Sequence, residues 1–239
     1  MRFEWDEKKI EYYMRASMRT GFHKNIAEKI VPFLKEEDEI VDIGCGPGVI
    51  DFELSPYVKS IKAIDIEPEI IEYLKKLVER SKIDNIFPVL GDASEIEGEL
   101  GDVTLMCFFS GEIDSQKKII DAAKRLAIII THGEGNSKNT SKISGNTRKR
   151  SAEDTVKELD AFGCNYDRIN LQLDFGQPLK SLEEAKEFLE MYSTEDDPEI
   201  KKSKIEESLK NLTHSNHVFY PYSIPNMKDV SIFIVSKQQ

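Results

Sequence analysis

The sequence is poor in cysteine and lacks both a long apolar run and an excess of basic residues. Its 239 residues include three cysteines, none of them in a CxxC pair, so neither a disulfide framework nor a cysteine-rich metal site is expected. No apolar run reaches the length of about 18 residues that indicates a transmembrane helix. The acidic start MRFEWDEKK does not have the form of a secretory signal. These absences predict a soluble, cytoplasmic protein with no membrane partner.

The charge balance is acidic. The chain has 33 Lys and Arg against 44 Asp and Glu, which gives a formal net charge of −11. Such a chain repels the phosphate backbone of nucleic acid, since non-specific affinity for nucleic acid comes from neutralising phosphates. A nucleic-acid partner is therefore disfavoured, although a local basic patch can outweigh the total. The length fits one large domain or a domain with an attached cap.

Short apolar runs alternate with segments of helical period between residues 40 and 131. This alternation predicts parallel strands joined by helices, and the clearest helix begins at Pro68. Pro88 lies within the third strand, where it has no amide hydrogen to donate, so this strand should lie at an edge of the sheet. The predicted strands are Ile40–Ile43, Ser60–Ile64, Phe87–Leu90, Val103–Cys107 and Ala127–Thr131.

The flanking segments divide the chain further. Residues 7–34 are predicted to be helical with a break near Gly21, and we take residues 1–35 as an N-terminal helical segment. Residues 36–239 form the main domain, with a helical insertion at about 179–217. Ser151 and Asp154 give a capping signal for a helix that stops at Gly163. Strands are predicted at 166–173 and 230–235, helices at 181–192 and 198–212, and a short strand within 219–224.

The stretch VDIGCGPG, residues 41–48, places three glycines directly after the first strand. A dinucleotide fingerprint needs a third glycine where Val49 stands, and no Gly-Lys-Ser/Thr follows as a P-loop requires. Asp42 precedes the first glycine by two residues. An acid there is unfavourable for phosphate but suits a ligand with an ammonium group, which favours a nucleoside that carries an amino acid.

This stretch resembles motif I of the class I S-adenosylmethionine-dependent methyltransferases, and the resemblance extends over residues 36–131. It implies an α/β fold, the three-layer α/β/α Rossmann-like methyltransferase fold. It also implies a seven-stranded sheet of order 3-2-1-4-5-7-6, in which strand 7 is antiparallel. The implied cofactor is S-adenosyl-L-methionine, and the product is S-adenosyl-L-homocysteine.

The resemblance also assigns roles to residues at the strand ends. Asp65 would accept hydrogen bonds from both ribose hydroxyls, and Asp92 would accept one from the adenine amine beside the amide of Ala93. We expect Asp65→Ala to weaken cofactor binding and to leave the fold intact. The predicted cofactor-binding residues are Asp42, Gly44, Cys45, Gly46, Gly48, Asp65, Ile66, Asp92, Ala93 and Phe108.

Methyl transfer from a sulfonium is an in-line displacement that needs alignment more than acid-base chemistry. The sequence does not identify a catalytic residue. No metal site is expected, since His214 and His217 have no third ligand nearby. The segment MCFFSGE, residues 106–112, lacks the Asn/Asp-Pro-Pro-Tyr/Phe element of enzymes that methylate DNA base amines or glutamine. The candidate bases are Tyr12, Tyr13, His23, His132 and Glu134.

The leading hypothesis is a methyltransferase that acts on a small molecule. The alternatives are an RNA or protein methyltransferase, a scaffold that binds the cofactor without catalysis, and a relative that transfers an aminopropyl group. The basic segment 132–150 is a solvated loop or a site for an anionic substrate, and the sequence leaves the oligomeric state open.

Two sets of side chains belong to these hypotheses. The N-terminal segment would act as a lid through Tyr12, Tyr13, Arg15 and Arg19, or these side chains form an amphipathic surface; the basic segment contributes Lys138, Lys142, Arg148, Lys149 and Arg150.

Overall fold

The computed structural model describes residues 5–109, 111–134 and 150–237. Two sheets run through this part of the chain. The strands are β1 Glu39–Ile43, β2 Ser60–Asp65, β3 Ile86–Leu90, β4 Gly101–Cys107, β5 Ala123–His132, β6 Tyr166–Asp174, β7 Gln177–Leu179, β8 Thr213–His214, β9 Tyr222–Ile224 and β10 Met227–Ser236. The helices are α1 Glu7–Thr20, α2 Phe22–Ile30, α3 Val49–Leu54, α4 Pro68–Ser81, α5 Ile113–Asp121, α6 Ala152–Ala161, α7 Leu182–Tyr192 and α8 Pro198–Lys210.

The large sheet has seven strands in the order β3-β2-β1-β4-β5-β10-β6. The first five strands are parallel, and β10 runs antiparallel to both of its neighbours. This is the order that the family resemblance implies, with β10 as the seventh strand. Pro88 lies in β3 at the edge of the sheet, so that prediction is confirmed. The centre of the sheet is mainly apolar, with Ile40, Val103 and Ile128 almost completely buried, but Asp42 and Thr104 are also buried there.

Local signals explain where several helices begin and end. The side chain of Asp6 accepts a hydrogen bond from the amide of Lys9 at the start of α1, and Gly21, with φ of 68°, ends that helix. The predicted capping box is present in α6, where the side chains of Ser151 and Asp154 each bond the other residue's backbone. The buried apolar residues of α6 are Ala152 and Leu159, and Phe162, which follows the helix, is half-buried.

The insertion differs from the prediction in one respect. The two predicted helices are present as α7 and α8, but they are accompanied by a three-stranded antiparallel sheet of order β7-β9-β8. The short strand predicted within 219–224 is present as β9, whereas β7 and β8 have only two or three residues each and were not predicted. Residues 177–179 and 222–224 pair across more than forty positions of chain, so no local turn signal announces them.

Helix α1 packs on this inserted unit. We refer to α1, α7, α8 and the small sheet together as the cap. Its buried apolar core contains Tyr12 of α1 together with Leu179, Leu189 and Ile224 of the insertion. The N-terminal helix and the insertion therefore share one core. Within the described residues, the structure has no helix with the length and apolar character that a membrane crossing requires.

Candidate functional site

The predicted acids lie at the carboxyl ends of neighbouring parallel strands. Asp42 lies near the end of β1, Asp65 is the last residue of β2, and Asp92 follows β3. Phe108 follows β4 directly. Because these strands are parallel, the structure brings the four residues to one edge of the sheet, which is where ligands bind in open α/β sheets. We refer to this edge as the carboxyl edge.

The glycine turn between β1 and α3 adopts a conformation that favours glycine at three positions. Gly44, Gly46 and Gly48 have φ of 74°, 53° and 69°, values at which other residues are strained. A Cβ at Gly44 would lie 2.6 Å from Cδ2 of Phe109, and one at Gly48 would lie 2.7 Å from Cδ1 of Leu74. All three positions therefore favour glycine by conformation, and Gly44 and Gly48 also favour it because a Cβ would lie against a neighbouring side chain.

Backbone hydrogen bonds hold this turn against β2. The amides of Gly44 and Cys45 donate to the carbonyl of Ile64 at 2.8 and 3.0 Å. The Cys45 thiol lies within 3.5 Å of the Gly46 carbonyl, and burial raises its pKa, so this cysteine is a buried, protonated thiol.

Asp65 also holds the turn. Its carboxylate accepts hydrogen bonds from the amides of Gly46, at 2.9 Å, and Glu67, at 3.0 Å, one on each oxygen. Its side chain therefore organises the glycine turn and the start of α4 in addition to the predicted ribose role. This changes the expectation that removal of the Asp65 side chain would leave the fold intact.

The remaining predicted cofactor contacts lie next to these acids. Ile66 follows Asp65 and is half-buried. Asp92 accepts a hydrogen bond from the amide of Ser94 at 2.8 Å, and Ala93 begins the short 3-10 turn that follows. Asp92 and Ala93 are partly exposed at the carboxyl edge. The placement of these residues is consistent with the resemblance, and their contacts with a cofactor stay a prediction.

Asp42 is fully buried, and neither of its carboxylate oxygens has a hydrogen-bond partner. Burial, with a contribution from the nearby Asp65, raises the pKa of Asp42 to about 7. Asp51, in the first turn of α3, is equally buried and equally without partners. Sequence reasoning missed Asp51, because an acid in the first turn of a helix is ordinary.

Aromatic rings from separate elements meet beside the tips of β4 and β5. We call this group the aromatic cluster; it consists of Tyr13, Phe22, Phe108, His132 and Phe175. The ring centroids of Phe22 and Phe175 are 4.6 Å apart, and those of Phe108 and His132 are 5.1 Å apart. The ammonium of Lys228 lies 4.2 Å from the centroid of the Phe175 ring.

Phe108 has an unusual backbone. Its φ is 53°, a left-handed value that is uncommon outside glycine, asparagine and aspartate. The amide of Phe108 donates to the carbonyl of Ile130 at 2.8 Å, which ties the strained residue to β5. Strained residues of this kind cluster at functional sites. Phe108 and its neighbour Phe109 follow β4 at the carboxyl edge.

The candidate bases separate into two groups in the structure. His23 and Tyr13 form a buried chain, in which the Tyr13 hydroxyl lies 2.8 Å from Nε2 and the Ser17 hydroxyl lies 2.6 Å from Nδ1. Burial, with a smaller effect of Lys228, lowers the pKa of His23 to about 3, so this imidazole is neutral and a weak base.

The other candidates have different surroundings. Tyr12 is buried in the core of the cap, where its ring lies 5.0 Å from that of Phe188. Glu134 is paired with Arg168 at 2.6 Å. His132 is half-buried and contacts Phe108, so it is the candidate base that both lies at the carboxyl edge and is free of deep burial. The catalytic base, if the reaction needs one, stays unassigned.

Arg15 of α1 contacts the inserted unit. The Arg15 guanidinium is buried and bonds Glu184 at 2.9 Å, the Pro178 carbonyl at 3.2 Å, and Glu11. Arg19 is exposed. These bonds of Arg15 join α1 to the inserted unit, and the lid role of the N-terminal segment stays a prediction.

Two aromatic rings rest on the glycine turn. A Cβ at Gly46 would lie 3.3 Å from Cζ2 of Trp5, and Phe109 covers Gly44. A groove of about 770 Å³ lies beside Trp5, between the start of α1 and α4, and includes Glu69, Tyr73 and Arg80 in its lining. A ligand that lies along the turn would therefore lie next to Trp5 and Phe109.

No group of three or more His, Cys, Asp or Glu residues that could hold a metal ion is found in the part of the chain described. His217 instead accepts hydrogen bonds through Nδ1 from the amides of Phe219 and Tyr220, which stabilises the loop before β9. Of the basic segment 132–150, residues 135–149 lie outside the described residues. Arg150 is described and pairs with Glu158.

The residues at the carboxyl edge fit S-adenosylmethionine as a cofactor. The unpartnered carboxylate of Asp42 provides negative charge below the turn. The turn itself has no side chains at three positions, each of which a Cβ would strain. Asp65 and Asp92 offer acceptors at the next two strand ends. These features match the ammonium, the methionine chain and the nucleoside of that molecule in chemical character.

Comparison with known proteins agrees with this assignment. Residues 40–130 match the family model of the methyltransferase domain. An uncharacterized RNA methyltransferase of Streptococcus pneumoniae is 39% identical over 61 residues, which are 26% of this chain and 14% of that protein. A probable cobalt-precorrin-6B C(15)-methyltransferase (decarboxylating) of Methanococcus maripaludis is 26% identical over 151 residues, 62% of this chain and 74% of that protein. The chain thus spans a small part of the first relative and about three quarters of the second.

Solved structures share the fold at low sequence identity. The YcgJ protein from Bacillus subtilis has a TM-score of 0.63 and 15% identity, over 92% of this chain and 100% of that chain. A SAM-dependent methyltransferase from Aquifex aeolicus has a TM-score of 0.53 and 14% identity, over 97% and 99%. Residues 40–130 thus match a methyltransferase domain, and the strand order is that of the Rossmann-like methyltransferase fold.

Proposed function

We propose that the protein transfers a methyl group from S-adenosylmethionine to a small-molecule acceptor by in-line displacement. The observation that carries the small-molecule part is the enclosed aromatic cluster beside the tips of β4 and β5. Its Phe22 ring is 1% exposed, and the other members are partly buried. Proteins that bind single-stranded nucleic acid instead present aromatic faces to solvent, where bases stack on them.

The cap contributes to this proposal. Arg15 and the shared apolar core fix α1 to the insertion, and Tyr13 of α1 reaches the aromatic cluster. A cover of this kind excludes water and restricts the acceptor to what fits beneath it. The cofactor supplies an electrophilic methyl carbon. The residues of the chain would align the acceptor with that carbon and hold the nucleoside at the carboxyl edge.

Methylation of RNA is the second candidate. It is favoured by the name of the Streptococcus pneumoniae relative and by the basic segment 132–150. The net charge of −11 opposes it. Methylation of protein and binding of the cofactor without catalysis are further alternatives to the small-molecule proposal.

The test has two stages. Calorimetry with S-adenosylmethionine and S-adenosylhomocysteine measures cofactor binding, and absence of binding to both would contradict the assignment. The protein is then incubated with methyl-labelled S-adenosylmethionine and a cell extract divided into small-molecule, RNA and protein fractions. We expect label in the small-molecule fraction. Ribonuclease-sensitive label would favour the RNA reading, and tight binding without transfer to any fraction would favour a scaffold.

A further inference from the structure

The structure contains two buried aspartates below the glycine turn that no hydrogen bond satisfies. Asp42 and Asp51 are both 0% exposed, and all four of their carboxylate oxygens are without a partner. Buried carboxylates normally accept hydrogen bonds or pair with cations, because an unpaired buried charge is very unfavourable. The two side chains lie within hydrogen-bonding reach of each other, so a single proton between them would make one a donor to the other.

The groups that face this pair are neutral or acidic. Cys45 faces it from the turn, Asp65 from β2, Cys107 from β4 and Tyr13 from α1. None of these four neighbours carries a positive charge. The carboxylate of Asp65 is already committed to the two amides described above.

Two adjacent buried carboxyl groups cannot both ionise readily. Burial raises the pKa of Asp42 to about 7, and burial together with the charge of Asp42 raises the pKa of Asp51 well above its usual range. The two groups titrate as a unit. At neutral pH the unit retains at least one proton.

The pair also lies directly against the turn. Oδ2 of Asp51 is 3.2 Å from the position that a Cβ of Gly48 would occupy. Asp42 is two residues from Gly44 in sequence. No side chain of these glycines separates the pair from a ligand on the turn, and a charge placed there acts through a poorly polarisable interior.

We propose that Asp42 and Asp51 share a proton in the free protein and release it when the ammonium group of the cofactor's amino acid part binds at the glycine turn. The inference rests on the proposed cofactor. The O–H bond of the pair breaks, the proton passes to the solvent, and the arriving ammonium takes over the balancing of negative charge. Asp51 is thereby a specificity-determining residue that selects nucleosides bearing a cationic group.

The experiment uses S-adenosylhomocysteine as probe, since it carries the ammonium and is not consumed. Titration calorimetry at pH 7 in two buffers of different ionisation enthalpy gives the number of protons released per ligand bound. We expect release that approaches about one proton, with affinity that rises up to about tenfold per pH unit below the pKa of the pair and levels off above it. The nucleoside 5′-methylthioadenosine, which lacks the amino acid, should release no proton.

Asp51→Asn is the test variant. Its carboxamide donates a permanent hydrogen bond to Asp42, so proton release should fall to near zero and the pH dependence of affinity should flatten. Glu53→Gln is the matched control on the same helix, because Glu53 is partly exposed and has no place in the pair. It should release as many protons as the wild type.

The outcomes separate the two proposals. If wild-type protein binds neither S-adenosylmethionine nor S-adenosylhomocysteine, the proposed function fails. If it binds S-adenosylhomocysteine without releasing protons, or if Asp51→Asn releases as many as the wild type, the shared proton is refuted and the proposed function stands. If Asp51→Asn does not fold, the number of protons that the wild type releases still tests the shared proton. That number is compared between the two buffers and between S-adenosylhomocysteine and 5′-methylthioadenosine.

Discussion

At the residue scale, Gly44 combines a left-handed backbone with close contact to a ring. A side chain there meets strain from φ of 74° and overlap with Phe109 at 2.6 Å. Gly98 has a similar φ of 68° but nothing within 4 Å of a Cβ, so it isolates the backbone effect. Substitutions at Gly98 and Gly44 therefore distinguish the cost of a left-handed backbone from the cost of steric overlap with Phe109.

We predict that Gly98→Ala lowers the free energy of unfolding by about 1–2 kcal/mol, the usual left-handed penalty. Gly44→Ala should lower it by more than that, because Phe109 must also shift. It should weaken S-adenosylhomocysteine binding as well, whereas Gly98→Ala should not. Urea unfolding and calorimetry measure both quantities. Equal losses for the two variants would show that Phe109 accommodates a Cβ freely.

Asp65 gives a second prediction at this scale. Since its carboxylate accepts from two backbone amides, Asp65→Ala should cost about 1–3 kcal/mol of unfolding free energy in addition to weakening cofactor binding at least tenfold. Asp84→Ala, an exposed acid before β3, is the control and should change neither. Unaltered affinity in Asp65→Ala would refute the ribose assignment.

At the scale of elements, the attachment of α1 to the insertion depends on a buried ion pair. Arg15 of α1 bonds Glu184 and the carbonyl of Pro178 in the insertion, and Glu11 within α1. These bonds join two segments that the sequence analysis treats as separate into one cap. Arg19, one turn further along α1, is exposed and makes a natural comparison. The strength of this attachment determines how α1 and the insertion move together.

We predict that Arg15→Ala lowers the free energy of unfolding by about 2–3 kcal/mol, because partly buried Glu184 loses its charged partner. Hydrogen exchange of the α1 amides should accelerate, and that of β1 and β4 should not. Arg19→Ala should leave both properties unchanged. If Arg15→Ala exchanges like the wild type, the apolar core around Tyr12 holds the cap without the arginine.

The elements also show how far sequence reasoning reaches. Pro88 and the pair Ser151 and Asp154 act through local chemistry, so an edge strand and a capped helix follow from a few residues. The carboxyl-edge acids follow from strand ends and a motif. The pairing of β9 with β7 and β8 and the proximity of Asp42 to Asp51 depend instead on segments that folding brings together, which no local pattern reports.

At the scale of the whole molecule, two buried groups impose opposite pH dependences on stability. The pKa of His23 falls to about 3 in the folded protein, so the folded state loses stability relative to the unfolded state as the pH falls below 6.5, the ordinary pKa of histidine. The pKa of Asp42 rises to about 7, so the folded state loses stability relative to the unfolded state as the pH rises from 3.8, the ordinary pKa of aspartate, to about 7. Between pH 3.8 and 6.5 the two effects oppose each other.

We predict that His23→Gln removes the loss of stability that the lowered pKa of His23 causes below pH 6.5. The stability of the variant relative to wild type should increase as pH falls from 6.5 towards 4, by up to about 1.4 kcal/mol per pH unit. Urea unfolding of both proteins at a series of pH values measures the difference, in which the other titrating groups cancel. His214→Gln, at an exposed histidine, should follow the wild type. A parallel course for His23→Gln would mean that His23 is protonated in the folded protein.

The ring that covers Gly46 belongs to Trp5, and the chain has one tryptophan. Its intrinsic fluorescence therefore reports on a single place, the turn where the cofactor is expected. A ligand that displaces the indole into water should shift its emission to longer wavelength, and one that buries it further should shift it to shorter wavelength. Ligand discovery for this protein can thus proceed optically, without a label and before the methyl acceptor is known.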